Sequence, residues 1–136
     1  MNHIGELNEK VMTNDQINKA VALELGWKPK LEDGYLSMTG PKGNYVGKNY
    51  RGGLTEDHCW KVCNLDFCND YNAAAEMRKS ITDGVDRFRF LNQLMDDIEA
   101  ASCWDAINAT PRQQAEAFLK LRGKWVDHIP DDRKMA

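Results

Sequence analysis

Thr110-Pro-Arg-Gln-Gln-Ala-Glu-Ala-Phe-Leu-Lys-Leu-Arg-Gly123 carries its own start and stop signals, and reading it decides the fold. Thr110 is a helix cap, Pro111 stands at the first helical position where a missing N–H costs nothing, and Gln113 reaches back in a capping box. Gly123 supplies the left-handed residue that closes such a helix. The same spacing recurs from Thr13 to Gly26, with Gln16 as the reciprocal cap; Trp27 and Trp125 stand just beyond the two stops. Ile17, Ala20, Val21 and Leu25 share one face of the first helix. The residues between the caps differ, so the two helices are a shared solution and not a repeat.

Working inward, Asn69 or Asp70 caps a helix through Ala73, Ala74, Met77 and Ile81, which Asp83-Gly84 is expected to end. A second central helix carries Val85, Phe88, Leu91, Leu94, Met95 and Ile98, a stripe at spacings of three and four that predicts a core-facing side. Tyr35 to Met38 and Asn44 to Tyr50 read as short strands joined by a Gly-Pro turn, and Ser102 to Asn108 as a further strand. The fold class is therefore α+β: about four helices on a small, mostly antiparallel sheet drawn from residues 34–50 and 102–108. Residues 13–126 form the expected single domain, with 1–12 an N-terminal extension and 127–136 a C-terminal tail.

The chain has 136 residues, 42% of them hydrophobic and 29% charged, which suits one soluble globular core. Its net charge of −3 argues against general nucleic-acid binding, which needs a basic face. No run approaches the roughly 18 apolar residues of a membrane span, and residues 1–12 lack the apolar stretch of an export signal. The expected location is the cytoplasm, where Cys59, Cys63, Cys68 and Cys103 are reduced thiols.

Residues 40–53 hold five of the ten glycines together with Lys42, Lys48 and Arg51, and contain no acid. With Tyr45 and Tyr50 able to stack on a planar group, this segment is the candidate binding loop for a nucleotide or other anion. The position five residues before Gly47-Lys48 is Lys42 and the next residue is Asn49, so it is not a Walker A motif, and no Gly-x-Gly-x-x-Gly occurs. An exposed loop is the plainer reading of the same composition.

His58, Cys59, Cys63 and Cys68 are the residue types of tetrahedral zinc, but the second ligand pair of a structural site is missing. A nucleophilic pairing of His58 with Cys63 or Cys68 needs an oriented imidazole that no spacing reveals, and His3 and His128 lie near the termini. Asp66, Asp70 and Asn72, and Asp96, Asp97 and Glu99, are better explained as caps and solvated faces than as cation ligands. No catalytic residue, metal or cofactor is assigned. Trp60, Trp104 and Trp125 are expected as core anchors, with Trp60 beside Lys61 the one that exposure would turn into a partner anchor.

Asp66-Phe-Cys-Asn-Asp-Tyr-Asn-Ala73, Ala109 to Leu119 and Gly123-Lys-Trp125 resemble small uncharacterised tailed-bacteriophage proteins of the phage ABA-sandwich domain group, and Met12 to Ile17 with Gly26-Trp27 has the same character. The resemblance implies helix, sheet and helix layers and a phage accessory role in the host cell's cytoplasm, and it brings no activity. With no catalytic constellation, the expected function is a non-enzymatic binding protein that inhibits or modulates a host protein, a defence protein included. The alternative is a small-molecule binder that sequesters a nucleotide or anion through Lys42, Tyr45, Lys48, Tyr50 and Arg51. Neither reading calls for a membrane.

Overall fold

The computed structural model describes residues 12–32, 35–41, 45–46, 55–63 and 65–126. In chain order these form helix α1 (Asn14–Leu25), strands β1 (Lys28–Glu32), β2 (Tyr35–Thr39) and β3 (Tyr45–Val46), then helices α2 (Glu56–Cys63), α3 (Tyr71–Lys79), α4 (Gly84–Asp97), α5 (Cys103–Ala106) and α6 (Pro111–Leu121). The class is α+β, with a three-stranded antiparallel sheet in the order β1-β2-β3. Pro29 pairs with Met38, and Met38 in turn with Val46.

Both capping boxes form as the spacing predicts. Thr13 N–H donates to Gln16 Oε1 at 2.8 Å and Gln16 N–H to Thr13 Oγ1 at 3.2 Å. Thr110 N–H donates to Gln113 Oε1 at 2.9 Å and Gln113 N–H to Thr110 Oγ1 at 3.1 Å. Gly26 ends α1 at φ 99°, where Trp27 N–H donates to Ala22 O at 2.9 Å. A Cβ at Gly26 would also come within 3.3 Å of Pro41 Cβ, so this position needs glycine for its backbone and for its surroundings. Met12, one residue before the expected start of the domain, is buried in the core.

α6 is the central element. It packs against α1, α3 and α4, and its broad buried face comprises Pro111, Gln114, Ala115, Ala117, Phe118 and Leu119. Ile17 and Val21 of α1, Met77 of α3 and Phe90 and Leu94 of α4 complete this core. A smaller cluster, Met38 of β2 with Cys59 of α2, fastens the sheet to α2, and Trp27, Trp60 and Leu65 join both clusters. Across the main core, Lys120 Nζ meets Asp97 at 2.8 Å and Arg122 meets Asp86 at 3.5 Å, pinning α6 to α4.

Four expectations need correction. Ser102 to Asn108 is not a strand: α5 forms there, with short-range bonds such as Asp105 N–H to Ser102 O at 3.1 Å, and the Asp105 carboxylate accepts Ala101 N–H at 3.0 Å. That carboxylate stabilises a helical turn, which overrides the strand preference of Trp104 and Ile107. Asp83-Gly84 does not end α3 but begins α4, because the Asp83 side chain accepts Val85 N–H at 3.0 Å and so caps the next helix. The apolar stripe of α4 faces the core only in its later part: Leu94 is buried and Leu91, Met95 and Ile98 pack against the core, joined by Phe90, whereas Val85 and Phe88 at its start are exposed. Trp104 is no core anchor either, being 74% exposed, while Trp60 and Trp125 pack partly buried against the core.

Candidate functional site

Two surfaces stand out. The first is a cleft of about 310 Å³ between the start of α1 and α2, lined by Asp15, Gln16, Asn18, Lys19, Asp57, Trp60 and Leu65. Asp15 and Lys19 lie one turn apart on α1, and Asp57 and Trp60 one turn apart on α2, so each helix offers a carboxylate and a second group toward the same space. Lys19 Nζ stands 5.6 Å from the centroid of the Trp60 ring. Asn18 is occupied: its Oδ1 accepts Cys68 N–H at 3.0 Å and its Nδ2 donates to Asp66 Oδ1 at 3.3 Å. Gln16 is held by its capping box. Asp15, Asp57 and Lys19 are the charged groups of the lining, and the Lys19 ammonium already faces the Trp60 ring.

The second surface is apolar. Val85 (58%), Phe88 (66%), Trp104 (74%) and Ile107 (68%) are large hydrophobic side chains largely open to solvent. Phe88 and Met95 stand seven residues apart on α4, two turns along one face. Cys103 Sγ lies 3.8 Å from Met95 Sδ, which brings the start of α5 to the C-terminal end of that face. α5 and α4 pack together, so these exposed groups belong to adjoining elements.

Of the residues expected to bind a ligand or partner, Trp60 is placed in the cleft. Tyr45 lies in β3, next to β2, and Lys42, Lys48, Tyr50 and Arg51 fall outside the described residues, as do His3, His128 and the 1–11 and 127–136 segments. The anion-binding reading of residues 40–53 therefore lies almost wholly outside the described residues.

Two cysteines of the cluster, Cys59 and Cys68, are buried. Cys59 is buried against Met38, and burial, with the Glu56 carboxylate adding to it, raises its thiol pKa. Cys68 is buried at the start of the α3 approach, its Sγ 3.8 Å from Asn14 O; burial chiefly pushes its pKa up to about 11, against a lowering pull from Arg112. A raised pKa keeps both thiols protonated at neutral pH, whereas a nucleophilic cysteine has a lowered one. His58 and Cys63 lie on α2, but their side chains are outside the described set. No group of three His, Cys, Asp or Glu positioned to hold a metal ion occurs among the described residues.

The acids are structural where they can be followed. Asp70 caps α3 by accepting Asn72 N–H at 2.8 Å, and Asp66 accepts from Asn18 and from Asn69 at 3.2 Å. Asp97 takes the Lys120 ammonium. Among the described residues no helix is long and apolar enough to cross a membrane.

Comparison with protein families, with curated proteins and with solved structures finds nothing that matches this chain.

Proposed function

We propose that the protein is a non-enzymatic binding protein, a phage accessory protein that engages and modulates a host protein. The observation that carries this reading is the set of large apolar side chains open on α4 and α5. Trp104 and Phe88 are aromatic, and exposed aromatics of this size are the anchors on which protein interfaces concentrate their binding energy. Burying them against a partner removes from water the apolar area that this fold leaves uncovered. The resemblance of residues 66–73 and 109–119 to small phage proteins supports the accessory role.

The test uses the full chain and a Phe88→Ser, Trp104→Ser double variant as paired baits in host-cell lysate, with circular dichroism to verify that the variant is folded. A stoichiometric partner held by the wild type and lost by the variant supports the reading. A partner retained equally by both removes the α4–α5 face from it, and sedimentation showing a dimer that the double variant dissolves assigns the face to self-association.

A further inference from the structure

We propose that the exposed α4–α5 face is covered, in the free protein, by the same face of a second copy, the two α4 helices running antiparallel about a two-fold axis. This goes beyond the host-protein reading: it names what occupies that face before a partner is met, so a partner must displace the second copy.

Val85 and Phe88 stand exposed at the start of α4, while Trp104 and Ile107 stand exposed beside its far end, where Cys103 Sγ lies 3.8 Å from Met95 Sδ. Each copy thus holds an apolar pair at either end of the face. An antiparallel partner lays its Trp104 and Ile107 over Val85 and Phe88 and receives the reverse contact in turn. Such an interface is isologous, as a two-fold dimer requires. Asn92 is exposed between Phe88 and Met95 on the same side of the helix, so it falls on the axis and meets its own copy, a polar pair of the kind that fixes register.

The charges agree with that direction. Arg89 and Asp96 are exposed, seven residues apart along one flank of the face. Antiparallel pairing sets Arg89 of each copy against Asp96 of the other, twice by symmetry, whereas parallel pairing would set like against like. The Arg89 side chain is 69% exposed and 4.0 Å from Asp86, which also takes Arg122 at 3.5 Å, so little holds it in place. The area suits a weak dimer. At 66% and 74% exposure, Phe88 and Trp104 leave roughly 300 Å² uncovered per copy, and Val85, Ile107 and the flanks of α4 bring a dimer near the roughly 1,200 Å² at which specific interfaces begin.

Sedimentation equilibrium of the full chain over about 1–500 µM should show a reversible monomer–dimer equilibrium with a micromolar midpoint. Phe88→Ser should weaken it about tenfold or more, as the loss of an aromatic anchor. Arg89→Asp and Asp96→Arg should each weaken it about tenfold, because each turns two attractive contacts into repulsive ones. The two single variants, mixed, should associate as tightly as the wild type, since every charge then meets its opposite again. Circular dichroism verifies that both are folded, and no merely structural role of either side chain would produce this rescue. The inference is overturned by a monomer throughout that range, by a dimer indifferent to Phe88→Ser, or by a mixture no tighter than the single variants. A monomer whose lysate partner is still lost on Phe88→Ser, Trp104→Ser overturns this inference alone; a dimer whose lysate partner survives that change removes only the host reading from the face.

Discussion

Gln114→Leu tests whether the buried polar bond from α6 back to Ala109, ahead of its N-cap, stabilises the core. Gln114 is 5% exposed on the central helix, its Nε2 donates to Ala109 O at 3.0 Å, and its Oε1 accepts from the Arg78 guanidinium of α3. Leucine matches the volume but removes both bonds. The Ala109 carbonyl then lacks the buried donor Gln114 supplies, a loss of about 1–3 kcal/mol. Arg78 is itself exposed and regains water, so its lost bond adds well under about 1 kcal/mol. The added apolar burial offsets about 0.5 kcal/mol, since Gln114 already buries its own methylenes. The net expectation is a loss of about 2 kcal/mol, seen as a lower urea midpoint at unchanged slope and a melting temperature lower by about 8 °C. Arg78→Ala should cost less than about 1 kcal/mol. The reasoning fails if Gln114→Leu lies within about 0.5 kcal/mol of the wild type, or if Arg78→Ala is the more damaging change.

Thr13→Ala and Thr110→Ala each remove one capping box and should each cost about 1 kcal/mol by urea denaturation, with the double variant near the sum. Glu99 closes α4 at φ 55°, a left-handed conformation that favours glycine, so Glu99→Gly should raise stability by about 0.5–1 kcal/mol; a loss would show that the Glu99 side chain has an unrecognised role. Burial lifts Cys68 from 9.0 to about 11, so the unfolded chain ionises first: stability is full below pH 9, falls as pH rises toward about 11 and then levels. After allowance for solvent relaxation the loss is about 1–2 kcal/mol, and urea midpoints measured at about pH 8 and about pH 10 should diverge less in Cys68→Ala than in the wild type.

The helices with side-chain punctuation were legible. α1 and α6 could be read from Thr13, Gln16 and Gly26 and from Thr110, Pro111 and Gln113, because caps act over three or four residues and need no tertiary partner. Asp83-Gly84 stands between two expected helices, and because Asp-Gly marks helix ends and helix starts alike, only the Asp83 bond to Val85 N–H shows which of the two it serves. α2 was hidden by its chemistry: His58, Cys59 and Cys63 suggest ligands, while Thr55 followed by Glu56 and Asp57 is a helix-start signal, and Cys59 N–H does bond Thr55 O at 3.2 Å. β1 was missed because Pro29 and its charged neighbours lower strand propensity; its position at the sheet edge beside β2 tolerates them. Within the cleft only Trp60 was legible. Asp15 and Asp57 are far apart in sequence and acquire meaning only when α1 and α2 line the same space.

The place of α6 in the chain has a consequence for synthesis. α1, α3 and α4 all bury their apolar faces against this one helix, and roughly 85 residues separate the end of α1 from its start. On a ribosome adding about 5–20 residues per second, the first helix therefore waits about 4–17 s for its partner to be made. During that interval Ile17 and Val21 have nothing to cover them from that side, so nascent chains are most open to chaperones and to one another just before the fold can close. A truncation within α6 would leave three orphan helices rather than a smaller version of the same domain.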